Sequence, residues 1–267
     1  MKSLIIREFK RNKTSFIIYC VIAVAFVWMY VALFPSIAAQ SKQLDKLLKS
    51  FPDTIMKAFG VDKTGFNSVE KYLATELMSI LWPIIAIVLC LSRGGSTIAG
   101  DIENKTIGLE LSLPVSRIKL FFAKFIGTWL SVTLFSFVSI LSIIPICMAY
   151  SIDVHVENIF TLFLLTLLFS TSLLCVTIAF SAFFSEKGKV YFSVGAVLLI
   201  SYAINIFALL SKTFSFLKYG SIFHYFDTLS ALSDSKISIS SLIFFIAVTL
   251  ISLPIGVTTF KNRDISI

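Results

Sequence analysis

The sequence predicts an all-α polytopic membrane protein: six transmembrane helices, a short N-terminal interfacial helix and a short helix outside the bilayer between the second and third spans. Three observations carry this. First, 57% of the side chains are apolar, only 14% are charged, and Phe alone occurs 27 times. A soluble domain carries about 25% charged residues, and a disordered chain is poor in hydrophobes, so both classes are excluded. Second, six stretches have the length of about 17–25 mostly apolar residues that a spanning helix needs: residues 15–34, 73–91, 120–149, 159–184, 190–210 and 242–260. Third, these stretches are apolar on every face, and none alternates in the short segments of a membrane β-barrel.

Residues 1–14 are short and basic. Leu4, Ile5 and Phe9 share one face of a helix, with Arg7, Lys10 and Arg11 roughly opposite, the composition of a helix lying among lipid headgroups. The first span reads as a retained signal anchor, because its apolar run exceeds a signal-peptide core and no clean cleavage site follows. The second span places Glu76 in its first turn, within reach of the interface. In the third, Ser116 is the expected cap, and Lys124 is expected to snorkel to the headgroups. Pro83, Pro145 and Pro254 are candidate kinks. Cys20, Cys90, Cys147 and Cys175 fit no zinc or disulfide spacing and read as packing residues.

Six spans put both termini on one side. That side receives 14 of the 23 bases and 6 of the 15 acids, and the other side 9 of each. The whole net charge of +8 therefore lies on one face. The positive-inside rule makes that face cytoplasmic, although the first outer loop carries six lysines. The bases hug span ends, where anionic headgroups lie, so nucleic acid is not the expected partner; the lipid membrane is.

Residues 92–119 are the most informative non-spanning segment. Ile98, Ile102, Leu109 and Leu113 fall within about 60° of one another at 100° per residue, with Ile107 and Leu111 nearly opposite. Asp101, Glu103, Lys105 and Glu110 lie between the stripes. A helix with two apolar stripes touches the bundle with one and a partner with the other, and Pro114 ends it. On the opposite side, residues 211–241 hold a second amphipathic stripe: Tyr219, Ile222, Phe223, Phe226 and Leu229, at helical spacing. His224 and Asp227 stand at i and i+3, but two ligands are too few for zinc.

Gly100, Glu103, Thr106, Gly108, Leu109, Glu110, Leu113, Pro114, Val115, Ser116, Arg117, Lys124 and Gly127 together resemble the segment between the second and third spans of ABC-2 type ABC transporter permeases. Ile107 departs from the pattern where many members carry a small or polar residue. The six-span layout, the basic N-terminal segment and the closing Arg263-Asp264-Ile265 extend the resemblance over nearly the whole chain. It implies a permease subunit of an exporter in a prokaryotic plasma membrane, paired with a second copy or a related permease and driven by separate ABC ATP-binding subunits. The 92–119 loop would be the coupling helix, with Ile98, Asp101, Ile102, Glu103, Leu109 and Leu113 at the ATPase interface. Tyr219, Phe223 and Phe226 would belong to an outer cap over the pathway.

The residues agree with that division of labour. No G-x-x-x-x-G-K-[ST] occurs, since Gly188-Lys189 lacks both the upstream glycine and the hydroxyl. ATP is expected on the partner and no cofactor on this chain. No catalytic triad or carboxylate pair is visible, so an enzyme is not expected. Ionisable groups are scarce at mid-span, which argues against ion-coupled transport. The alternative is a non-transporting scaffold or sensor subunit of an ABC-like complex.

Overall fold

The computed structural model describes residues 1–11, 13–39, 68–112, 114–210 and 214–264. Among them no strand occurs. The helices are α1 (Lys2–Lys10), α2 (Lys13–Ala39), α3 (Val69–Thr97), α4 (Ala99–Glu103), α5 (Ile107–Leu111), α6 (Arg117–Ala149), α7 (Val156–Phe183), α8 (Lys187–Leu210), α9 (Thr228–Asp234) and α10 (Ile239–Asn262). Six of these, α2, α3, α6, α7, α8 and α10, are long and apolar enough to cross a membrane. The chain is a multi-pass, all-α membrane protein.

The bundle is built around α7, which packs on α10, α3, α6 and α9. Its buried face mixes Leu162, Phe169, Leu173 and Ile178 with small hydroxyl residues. In a membrane, small residues let backbones approach, and their hydroxyls need partners. Thr166, Ser172 and Thr177 bond the preceding turn, as with Thr177 Oγ1 to the Leu173 carbonyl at 2.9 Å. α2, α8 and α10 expose much of their apolar surface, including Leu199, Leu250 and Ile251, as lipid-facing helices do.

Two spans are irregular for identifiable reasons. In α3, residues Leu73–Leu81 form a π-helix that ends just before Pro83. Proline lacks an N–H and its ring collides with the carbonyl four residues back, so a widened turn before it relieves both problems. Glu76 therefore sits in this π-helical stretch, half-buried and beyond the first turn of α3. The 33 residues of α6 would rise about 50 Å, well beyond a hydrocarbon core of about 30 Å. The helix breaks at Ser142, three residues before Pro145.

Helix ends are closed by side chains. Ser116 Oγ accepts the Lys119 N–H at 3.3 Å, capping α6 as its sequence position suggests. Arg263 Nη1 donates to the Ala182 and Phe184 carbonyls at 2.7 and 2.9 Å, satisfying the free C-terminal carbonyls of α7. Arg117 Nη1 in turn donates to the Arg263 carbonyl at 2.5 Å. These contacts gather residues 117, 184 and 263 at one end of the bundle.

The expected continuous helix in the 92–119 loop is two helices. α4 ends in a Schellman motif: the Thr106 N–H bonds the Asp101 carbonyl at 2.8 Å and the Lys105 N–H bonds the Ile102 carbonyl at 3.0 Å. Lys105 takes the left-handed conformation at φ 56°, the place usually given to glycine. The turn resets the helical phase, so stripes drawn at 100° per residue across it do not hold. The outer stripe is likewise not one helix. Ser215–Gly220 is a 3₁₀ helix, and a turn separates it from α9.

Candidate functional site

At the end of the bundle holding the termini, a buried ion cluster ties α1, α4, α5 and α6 together. Lys124 is 3% exposed. Its Nζ pairs with Asp101, with Glu110 Oε2 at 2.6 Å and with Glu8 Oε2 at 3.8 Å. It does not snorkel to the headgroups as its sequence position suggested, because three carboxylates meet it inside the protein. Arg11 grips Asp101 through two nitrogens, at 2.7 and 3.1 Å, and reaches Glu8 at 3.5 Å. Burial alone would lower the proton affinity of Arg11, but Glu8 and Asp101 outweigh it and raise its pKa above the ordinary value. Arg7, more exposed, pairs with Glu110.

The local sequence explains why these residues converge. Arg7 and Arg11 stand one helical turn apart on the same side of α1. Gly127 lets α1 lie directly on α6: a β-carbon there would come within 2.7 Å of Glu8 Cβ and 2.9 Å of the Ile5 carbonyl oxygen. From α3, Arg93 completes the cluster. It donates to the Arg11 carbonyl and lies over the Phe16 ring at 5.7 Å. Buried charge of this kind is costly to strip of a partner, at about 3–5 kcal/mol per broken pair, so the cluster fixes α1 to the loop.

The loop is also stitched to α7. Ile98 and Ala99 at the start of α4 have no side-chain cap of their own. Ser181 Oγ of α7 accepts both N–H groups, at 3.2 and 2.9 Å, and donates to the Gly95 carbonyl. Glu103 Oε2 accepts the Lys187 N–H at 2.9 Å at the first residue of α8, where the helix dipole favours an anion.

The six loop residues singled out in the sequence thus divide. Ile98 is fully buried and Asp101 sits in the ion cluster, so both are closed to a partner and serve as anchors. Ile102 is half-buried, while Glu103 is exposed and holds α8. Leu109 is 75% exposed on the far side of α5 from the buried Ile107. Leu113 lies outside the described residues. Glu8, Arg11 and Lys124 were not among the site residues expected from the sequence. The one available signal was the pairing of unusual intraspan charge at Lys124 with acids in the loop.

The opposite end is aromatic. Phe226, 7% exposed, stacks on Trp82 at 6.0 Å and lies 4.5 Å from Phe169 between ring centres. Trp82 continues the stack to Phe135 and donates to Ser139 Oγ at 3.0 Å. Phe226 is thus an inserted plug, Phe223 a half-buried wall against Tyr202 at 5.4 Å, and Tyr219 a surface residue. Asp227 caps α9 through the Ser230 N–H and His224 lies between Tyr219 and Tyr225. Burial, then Lys218, push the His224 pKa below the ordinary value against the pull of Asp227, so the ring packs neutral. Among the described residues no cluster of three metal-ligating side chains occurs. Below this end, an apolar recess of about 400 Å³ opens between α3 and α8, lined by Ile80, Pro83, Ile84, Leu198 and Tyr202 and closed by Phe223.

Comparison with curated proteins gives no match. The family model described as ABC-2 family transporter protein matches residues 3–265, nearly the whole chain. The family, the helical fold and the six long apolar helices agree, and the chain belongs to the ABC-2 transporter family as a membrane-embedded permease subunit of an ABC transporter.

Proposed function

We propose that this permease forms the translocation pathway of an ATP-driven exporter in a prokaryotic plasma membrane, with its termini in the cytoplasm. A second copy or a related permease completes the pathway, and separate ATP-binding subunits drive it. The chain itself binds no cofactor, and ATP is held by the partner.

The observation that carries this reading is the construction of the 99–111 segment. Leu109 is an exposed apolar side chain, while its neighbour Glu110 is buried on Lys124. A push on α5 is therefore delivered to α6 through an ion pair, to α1 through Arg7 and Arg11, and to α7 through Ser181 at the start of α4. That is transmission by contact, with no chemistry required of this chain. Ile102, Glu103 and Leu109 form the proposed docking ridge, with Ile98 and Asp101 beneath it. The apolar recess between α3 and α8 supports a pathway for apolar or amphipathic cargo.

Replacing Ile102 and Leu109 together by Asp is expected to abolish co-purification of the cognate ATP-binding subunit while membrane insertion is retained. Undiminished co-purification would overturn the assignment.

A further inference from the structure

The ion cluster has an open side. Between α1 and the turn joining α4 to α5 lies a recess of about 620 Å³, room for several side chains, with Leu109 on its rim. Arg7, Lys10 and Arg11 reach it from α1, and Glu8, Asp101 and Glu110 line it further in. At 100° per residue, Arg7, Glu8 and Arg11 stand roughly opposite Ile5, Ile6 and Phe9 on α1. An interfacial helix turns its apolar face to lipid, so the recess opens on the aqueous side. Leu109 belongs both to this rim and to the proposed docking ridge, and the two surfaces are continuous.

What a partner meets in the recess is positive. The three acids are each no more than 6% exposed and already paired. Asp101 holds Arg11, Lys124 and the Thr106 hydroxyl, Glu110 holds Arg7 and Lys124, and Glu8 is shared by Arg11 and Lys124. On the side of the bases, the Arg7 side chain is 57% exposed. Lys10 is exposed, and among the described residues no acid pairs with it. Counting the buried Lys124, four bases meet three acids, and Lys10 is the one in surplus. The exposed side-chain amide of Asn104 adds a neutral donor. A cation entering the recess would find no free carboxylate, whereas an anion finds two accessible cations.

We propose that this recess is a socket for an acidic side chain of the ATP-binding subunit, which enters past Leu109 and pairs with Lys10 and Arg7. The inference rests on the docking of that subunit at the 99–111 segment, and adds the chemistry the subunit presents there: a carboxylate for Lys10 and Arg7 beside an apolar residue for Leu109. A carboxylate arriving on Arg7 competes with Glu110, so filling the socket weakens the ion pair that joins α1 to α5. A free inorganic anion would leave Leu109 uncovered.

The test uses the full chain in mild detergent with its cognate ATP-binding subunit, and reads the dissociation constant of the complex at low and high salt. Lys10→Glu is expected to raise Kd about tenfold or more, Lys10→Gln by a smaller factor that shrinks at high salt, and Lys10→Arg hardly at all. Because Lys10 holds no ion pair within the chain, these variants should keep the wild-type Tm. Lys2→Glu, on α1 but outside the recess, is the control and should bind as wild type. Reversing one acid of the partner to Lys should restore binding to Lys10→Glu; if none does, the occupant is not a carboxylate of that subunit and the proposal fails. An unchanged Kd for Lys10→Glu, where the Ile102→Asp, Leu109→Asp pair abolishes binding, would overturn the socket and leave the docking reading standing. Undiminished binding by that pair would overturn the docking reading and the socket with it. Equal losses from Lys10→Glu and Lys2→Glu would also overturn the socket, since the effect would then belong to the charge of the N-terminal segment as a whole.

Discussion

The two ends of this bundle are held by opposite chemistry. At the end with the termini, four helices meet on Lys124, Asp101, Glu110, Glu8 and Arg11, a cluster of buried charge. At the other end the closing segment is pinned by Phe226 between Trp82 and Phe169, with Phe135 stacked on Trp82. The difference concerns what each end transmits. Ion pairs are directional and fail if one partner leaves, so a displacement of α5 is felt at α6 and α1. Aromatic stacks are short-ranged and tolerant of sliding, which suits a closure that yields when the helices around it move. The charged end is built to be rigid, and the aromatic end to be adaptable.

The largest expected effect breaks the charged end. Lys124→Met leaves Asp101 and Glu110 buried with less compensation and should cost about 3–5 kcal/mol, read as a fall in thermal stability in detergent. At the aromatic end, Phe226→Ala leaves a cavity against Trp82 and Phe169 and should cost about 3 kcal/mol. The comparison sharpens in how they fail. Lys124→Met should release α1, seen as faster proteolysis within residues 1–11, while Phe226→Ala should leave α1 protected. The smallest effect runs the other way. Lys105→Gly relieves the left-handed strain in the turn between α4 and α5 and should stabilise the protein by under about 1 kcal/mol. Scanning calorimetry distinguishes a small rise in Tm from none.

The sequence and the structure agree most where hydropathy alone decides. The six spans are visible because each is apolar all round, and the Ser116 cap is visible because it is local. The ion cluster was hidden because its members are distant in the chain: Arg11 and Asp101 are 90 positions apart. The sequence shows the distance of Lys124 from the span end, which suggests snorkelling, and not its three carboxylate neighbours. The loop departs from the calculated stripe for a different reason. A helical wheel assumes one uninterrupted helix, and Lys105 is a poor advertisement for a left-handed turn that is normally marked by glycine. That turn is why Leu109 faces out while Ile98, on the same calculated stripe, is buried. The spacing places Phe226 on the amphipathic stripe of residues 211–241, but its insertion between Trp82 and Phe169 depends on the turn before α9, which the spacing does not show.

The central claim is that the 99–111 segment meets an ATP-binding subunit with its outer ridge while its inner side grips the bundle. Single cysteines at Leu109 and at Ile98, in a background without Cys20, Cys90, Cys147 and Cys175, test this most directly through cross-linking to the cognate ATP-binding subunit in native membranes. A cross-link from Leu109→Cys with none from Ile98→Cys is the predicted result. A cross-link from Ile98→Cys, or none from Leu109→Cys in a complex that still assembles, would contradict it.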